Sequence, residues 1–373
     1  MAFLGGCSRE EAMKAPPGGI YRSTSAGAGF DQSVNTVKSE DQYIASYDLG
    51  KIHRSIQDPN IIFLAAGEKG MVLSRDDGVT WNVIPIPQLA ATIDVAQLPT
   101  GIFIATGVDS TKQGVAVRSL DTGKSWQVVF TIPVPEEKKG IQILKGPTPA
   151  PATVVALELD AKHTDRLWAA TNDGTIFVAQ QSGKVWQKIT EVASPTAAIT
   201  GDRAGASVVR LLASPVNSNE VLMVTKDKRL LKLKDGKVSE IKVPDSTAIP
   251  SSFGLSVNSE KIINAMFVPG FPDALLIATT QGVVVSRDMG KSFLALNLPI
   301  DASKSFSEMA LAVSPKNANR IFVAIDGVVY RSEDSGTTWN TTDLSSSSVR
   351  ITDLSIHPLN PATMVLVAKQ IES

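Results

Sequence analysis

An eight-residue pattern recurs along the chain, and that recurrence limits the possible folds more than any other feature of the sequence. Ser74–Trp81 (SRDDGVTW), Ser119–Trp126 (SLDTGKSW), Ser286–Phe293 (SRDMGKSF) and Ser332–Trp339 (SEDSGTTW) all fit S-x-D-x-G-x-[ST]-[WF]. Three more segments keep the frame with fewer of its residues: Ser23–Phe30 (STSAGAGF), Ala179–Trp186 (AQQSGKVW) and Lys232–Ser239 (KLKDGKVS). Their glycines stand at 27, 78, 123, 183, 236, 290 and 336, so consecutive copies lie 45 to 60 residues apart. A period near 50 with variable insertions is that of a solenoid or propeller, in which each unit buries its apolar faces against its neighbours.

Each unit has the same internal order. Around the second full copy, four strand-like runs cover Ala91–Gln97, Gly101–Gly107, Gly114–Ser119 and Ser125–Phe130. Four antiparallel strands per unit, seven units and no helical period predict an all-β, seven-bladed β-propeller. The octapeptide then occupies the turn between third and fourth strands. There Asp76, Asp121, Asp288 and Asp334 are expected to accept backbone N–H groups. Gly78, Gly123, Gly290 and Gly336 take a conformation closed to residues with a Cβ, while Trp81, Trp126, Phe293 and Trp339 pack between blades, behind the leading Ser74, Ser119, Ser286 and Ser332. The chain ends complete each other. Gly18–Ser23 and Gly29–Asn35 read as a third and fourth strand, Ile351–Pro358 and Thr363–Lys369 as a first and second. A closing blade shared by both termini leaves no open sheet edge. Residues 18–373 therefore read as one propeller domain, with 1–17 outside it as a tether.

Composition narrows the function. A chain of 373 residues, 43% hydrophobic, has ample material for a core, and 36 basic residues nearly cancel 37 acidic ones. No broad field attracts nucleic acid, so none is expected as a partner. Apolar runs are about five to seven residues, far short of the ~20 needed for a membrane-spanning helix. Cys7 is the single cysteine, which excludes an intramolecular disulfide and a cysteine metal cluster. Leu4-Gly5-Gly6-Cys7 resembles the lipobox of bacterial lipoproteins, whose cysteine is lipidated. Only Met1–Phe3 precede it, too few for an export signal, so either the natural start lies further upstream or Cys7 is a lone N-terminal thiol. Behind it Ser8–Gly19 is polar and ends in Pro and Gly, as a flexible tether would. The lipobox implies an extracytoplasmic, lipid-anchored protein of the bacterial cell envelope.

The octapeptide itself resembles the Asp-box, or bacterial neuraminidase repeat, of sialidases, sortilin-type receptors, some glycanases and photosystem II assembly factors. Four full and three partial copies extend the resemblance over nearly all of the chain from Gly18 onward. It implies the propeller fold; the family carries unrelated activities on that one scaffold.

Function is expected on the face opposite the octapeptides, where connections between blades are long over 35–50, 131–153, 191–206 and 244–261. Ile141, Ile143, Leu144, Ile249, Phe253 and Leu255 in those stretches suit a protein surface, or else the stretches are unselective insertions. A catalytic set is not legible. Sialidases carry an Arg-Ile-Pro segment near the first blade, whereas Tyr21-Arg22 here is followed by Ser23-Thr24. Arg54, Arg210 and Arg350 fall on or next to innermost strands and are candidates to hold a ligand carboxylate in the central channel, or are separate solvated charges. His53, His163 and His357 lie in three blades without metal-ligand spacing, and no phosphate-cradling glycine loop occurs, so no metal and no cofactor are expected. These features favour a non-catalytic, envelope-tethered monomer that binds a protein or glycan through its inter-blade loops. The alternatives are a glycoside hydrolase on the same face and a membrane-complex assembly factor similar to those of photosystem II.

Overall fold

The structure, a computed structural model, describes residues 18–33, 44–133, 151–193, 206–244, 261–301, 303–344 and 348–371. Seven four-stranded antiparallel sheets form the blades of an all-β propeller. Blade I joins the two ends of the chain, ordered from the axis outward as Val349–Ile356, Met364–Gln370, Gly19–Ser23 and Asp31–Ser33. Five residue pairs, from Gly19 opposite Ala368 to Ser23 opposite Met364, close the ring. The innermost strands of blades II to VII are His53–Arg54, Ala91–Gln97, Val154–Leu159, Val208–Ala213, Ile262–Val268 and Ala310–Ser314. Between blades I and II a single 3-10 turn, Ile44–Ser46, precedes the innermost strand. Among the described residues no helix is long and apolar enough to cross a membrane.

Burial explains why these segments occupy these places. Second strands such as Ile62–Ala65 and Leu167–Thr171 are buried at every position, since they face a neighbouring blade on both sides and so read as unbroken apolar runs. Fourth strands sit at the rim and are largely exposed, as in Lys237–Ile241.

The octapeptides lie on the third-to-fourth turns. In the first, Asp76 Oδ1 accepts the Ser74 hydroxyl and the Thr80 N–H, each at 2.8 Å, and Oδ2 accepts the Thr80 hydroxyl at 2.6 Å. Gly78 N–H donates to Ser74 Oγ at 2.8 Å. The same bonds recur around Asp121, Asp288 and Asp334. Donation from the hydroxyl and N–H of Ser125, Ser292 and Thr338 pulls these three carboxyls down to about 2. The turn also reaches the link between first and second strands of its own blade, or the start of the second strand: Asp77 N–H donates to Asn60 O, Met289 to Asp273 O and Ser335 to Asn319 O. Both sets of turns thus share one face of the disc.

Glycine in this motif does more than permit the turn. Gly290 has φ +85°, and a Cβ there would lie 2.4 Å from Ile241 Cγ2 of the preceding blade. At Gly78 the neighbour is Val365 of blade I, at Gly336 Leu296 of blade VI. The bare backbone lets each blade press against the one before it.

Candidate functional site

Five innermost strands carry a β-bulge at the same level: after Thr92, Val154, Val208, Ile262 and Ile351 the register with the second strand slips by one residue. A bulge inserts an unpaired residue and re-aims the next one. The inserted residues are Ile93, Val155, Val209, Ile263 and Thr352, and all five line a central cavity of about 360 Å³. Their flanking positions are buried in the blades, apart from the half-buried Arg210, whereas the inserted side chains are partly exposed. Leu49, Gly50 and Lys51 of blade II, Glu308 and Met309 of blade VII and Lys369 of blade I complete the wall, so every blade contributes. Leu49–Lys51 and Glu308–Met309 immediately precede innermost strands, which places the cavity at the end of the axis where the connections between blades arrive.

The residues after the inserted ones fasten the blades. Asp94, its side chain 3% exposed, accepts a hydrogen bond from His53 Nε2 at 2.9 Å in blade II, from its neighbour Val95 N–H at 2.9 Å and from Leu157 N–H at 2.8 Å in blade IV. One carboxylate therefore ties three consecutive blades. Asn264 donates to Met309 O at 2.8 Å in blade VII, and Asp353 accepts Ile52 N–H at 2.9 Å in blade II. These side chains are positioned by the bulge, since regular pairing would turn them toward the other face of the strand.

The electrostatics follow from burial and these contacts. Burial alone would raise the Asp94 carboxyl, but the charge and hydrogen bond of His53, with Lys51 and the Leu157 N–H, outweigh it and hold the carboxyl low. For His53, burial lowers the imidazole, and the charge and hydrogen bond of Asp94, helped by Glu158, more than reverse this and keep it above its ordinary value of 6.5. Burial pushes the Lys51 ammonium down, opposed by Asp94 and reinforced by Arg210. Burial raises Glu158 and Glu308.

A raised histidine contributes stability that is complete below its unfolded value and lost as pH rises through its folded one. Urea unfolding between pH 6 and 9 is expected to show stability falling above 6.5 in the wild type and a flatter profile in His53→Gln. The difference between the two profiles reads the linkage of His53 together with that of Asp94 and Glu158, which its charge shifts. Parallel profiles would show that the His53–Asp94 bond carries no proton linkage.

The arginines singled out from sequence are not brought together. Arg54 Nη1 donates to Asp77 Oδ1 at 2.6 Å and to Pro59 O at 2.7 Å, and its Nε donates to Ser355 Oγ at 3.0 Å. It is committed to the octapeptide face, because it ends its strand there rather than beginning it. Arg22 joins the same carboxylate, with Nη2 3.2 Å from Asp77 Oδ2. Arg350 lies within the innermost strand of blade I, 3.8 Å from Asp326 and outside the cavity wall. Arg210 alone lines the cavity, 3.8 Å from Asp353. Cys7 and most of the long inter-blade stretches, 34–43, 134–150, 194–205 and 245–260, lie outside the described residues. Among the described residues no group of His, Cys, Asp and Glu is arranged to hold a metal ion.

The site residues that sequence reasoning missed are Lys51, His53, Asp94, Asn264 and Asp353. A signal existed: Ile93-Asp94, Val209-Arg210, Ile263-Asn264 and Thr352-Asp353 each place a polar residue after a β-branched one early in a first strand, once per blade.

No family model matches the chain, and no curated protein does. Among solved structures, YCF48 from Cyanidioschyzon merolae superposes with a TM-score of 0.58 at 15% identity, over 86% of this chain and 95% of that one. A structure of YCF48 bound to D1 peptide superposes with a TM-score of 0.55 at 16% identity, covering 91% and 98%. At these identities the likeness is one of fold.

Proposed function

We propose that this chain is a non-catalytic docking propeller that holds a segment of a partner protein over the axial cavity, and that it serves the assembly of a membrane complex while tethered through Cys7. The observation that carries the reading is the cavity itself. All seven blades line it, at the end of the disc where the innermost strands begin, and concave surfaces at the mouths of closed β-structures are preferred binding places. Its rim mixes Lys369, Arg210 and Glu308 with aliphatic walls, as protein-binding patches do. The structural likeness to YCF48, one of whose structures holds a D1 peptide, supports a protein partner over a glycan and an assembly role over hydrolysis. Envelope localisation and the lipid anchor rest on Leu4-Gly5-Gly6-Cys7.

The test is co-purification from detergent-solubilised envelope. Tagged wild-type chain is compared with one in which 134–150 and 245–260 are replaced by Gly-Ser linkers of equal length and with Arg210→Glu. Partner recovery is expected to fall about tenfold or more in both. Undiminished recovery in both, with thermal unfolding unchanged, would remove the docking face from this end of the propeller.

A further inference from the structure

The cavity has a chemistry of its own, independent of any protein that covers it. Its wall is an apolar collar: Ile93, Val155, Val209 and Ile263 are the inserted residues of four successive bulges, with Leu49 and Met309 beside them. Across the collar reaches Lys51, whose Nζ donates to Val209 O at 2.8 Å. Blades II and V stand on opposite sides of the ring, so this side chain crosses the axis.

Most of the other charged groups in the wall already have opposite partners, Lys369 among them with Asp48 at 2.8 Å. Asp94 is held by His53, and Asp353 accepts Ile52 N–H and faces Arg210 at 3.8 Å. Glu308 feels the charges of Arg350 and Lys369. Lys51 feels Asp94, Asp353 and Glu158 at longer range, but its hydrogen bond goes to a neutral carbonyl and among the described residues it forms no ion pair. A cation on a neutral acceptor gains from exchanging that acceptor for an anionic one, since the charge-assisted bond is stronger. Arg210 sits next to Val209 on the same wall and supplies a second cationic group.

We propose that the axial cavity is a binding site for a small amphipathic monocarboxylate, whose carboxylate replaces the Val209 carbonyl on Lys51 and extends to Arg210 while its hydrocarbon part lies against the collar. A volume of about 360 Å³ admits an acid of roughly six to ten carbons. The titratable and charged groups facing the bound carboxylate would be Lys51, Arg210, Lys369, Asp94, Asp353, Glu158 and Glu308. The inference concerns a small ligand and stands or falls separately from protein docking, because the isolated chain suffices to test it.

Calorimetric titration of the full chain uses octanoate, octanamide and octylamine as probes. Octanoate is expected to bind at least about tenfold more tightly than the neutral amide and the amine. Lys51→Met keeps an unbranched side chain in the collar and removes the ammonium together with its bond to Val209 O, so it should fold while reducing octanoate affinity about tenfold or more and leaving octanamide nearly unchanged. Should that variant melt differently from the wild type, Val155→Thr, which puts a hydroxyl in the collar, offers a second route: it should weaken octanoate and octanamide alike. An acetylated tripeptide ending in leucine, with its carboxylate free or amidated, separates two sources of the same chemistry. Preference for octanoate assigns the site to a free acid, and preference for the free-carboxylate peptide assigns it to a chain end. Equal affinity for octanoate and octanamide, or octanoate binding that Lys51→Met leaves unaltered, would overturn the proposal.

Discussion

Asp94→Ala is expected to lower the unfolding free energy by about 3–5 kcal/mol, the range found when one partner of a buried charge pair is removed. The carboxylate holds groups from three blades, so its loss leaves the His53 imidazole, no longer favoured in its charged form, and the Leu157 N–H without their acceptor in the channel wall. Asp94→Asn keeps an acceptor of the same shape without the charge and should recover part of the loss. Urea denaturation followed by tryptophan fluorescence at pH 6, where Asp94 favours the charged form of wild-type His53, measures both losses against the wild type. A loss below about 1 kcal/mol for alanine would mean that the blades hold their places without this fastening, as exposed pairs usually contribute no more.

Trp81→Ala should cost about 3–5 kcal/mol, as truncation of a fully buried tryptophan does. The location makes the effect specific. Trp81 is 0% exposed and packs with Ile20, Val365 and Val367 of blade I and with Ile44 and Leu49 of the segment entering blade II. Its indole N–H donates to Ser33 Oγ at 3.1 Å, and that hydroxyl donates to Gly78 O at 2.9 Å, linking the outermost strand of blade I to the octapeptide of blade II. The truncation therefore weakens the seam where the two ends of the chain meet. Hydrogen exchange in the variant should rise first at Gly19–Ser23, before blade V responds. Uniform acceleration in all blades would show that the seam is no weaker than the other junctions.

The octapeptide was legible because its function is local. A hydroxyl, a carboxylate and a left-handed glycine within eight residues make the same bonds wherever they occur, so Asp76, Asp121, Asp288 and Asp334 announce a turn without reference to the rest of the chain. The pairing of the ends was legible as well, since two incomplete half-blades imply each other. Arg54 and Arg350 illustrate the opposite case. Membership of an innermost strand does not say at which end of the axis a side chain emerges, and the two residues emerge apart, Arg54 on Asp77 and Arg350 near Asp326.

His53 and Asp94 are 41 residues apart and belong to different blades, so no local pattern announces the pair. Alternation along a strand is a period-two rule, and a single inserted residue reverses it. The bulges at Ile93, Val155, Val209, Ile263 and Thr352 are such reversals, and they decide that these side chains line the channel while Asp94, Asn264 and Asp353 after three of them bind neighbouring blades. By itself the sequence determined the number of blades, the place of the turns and the shared closing sheet, because each follows from contacts within one repeat unit or from counting units. The cavity, the reach of Lys51 across it and the fastening by Asp94 came only with the tertiary structure, since they depend on the level to which seven separate strands rise along a common axis.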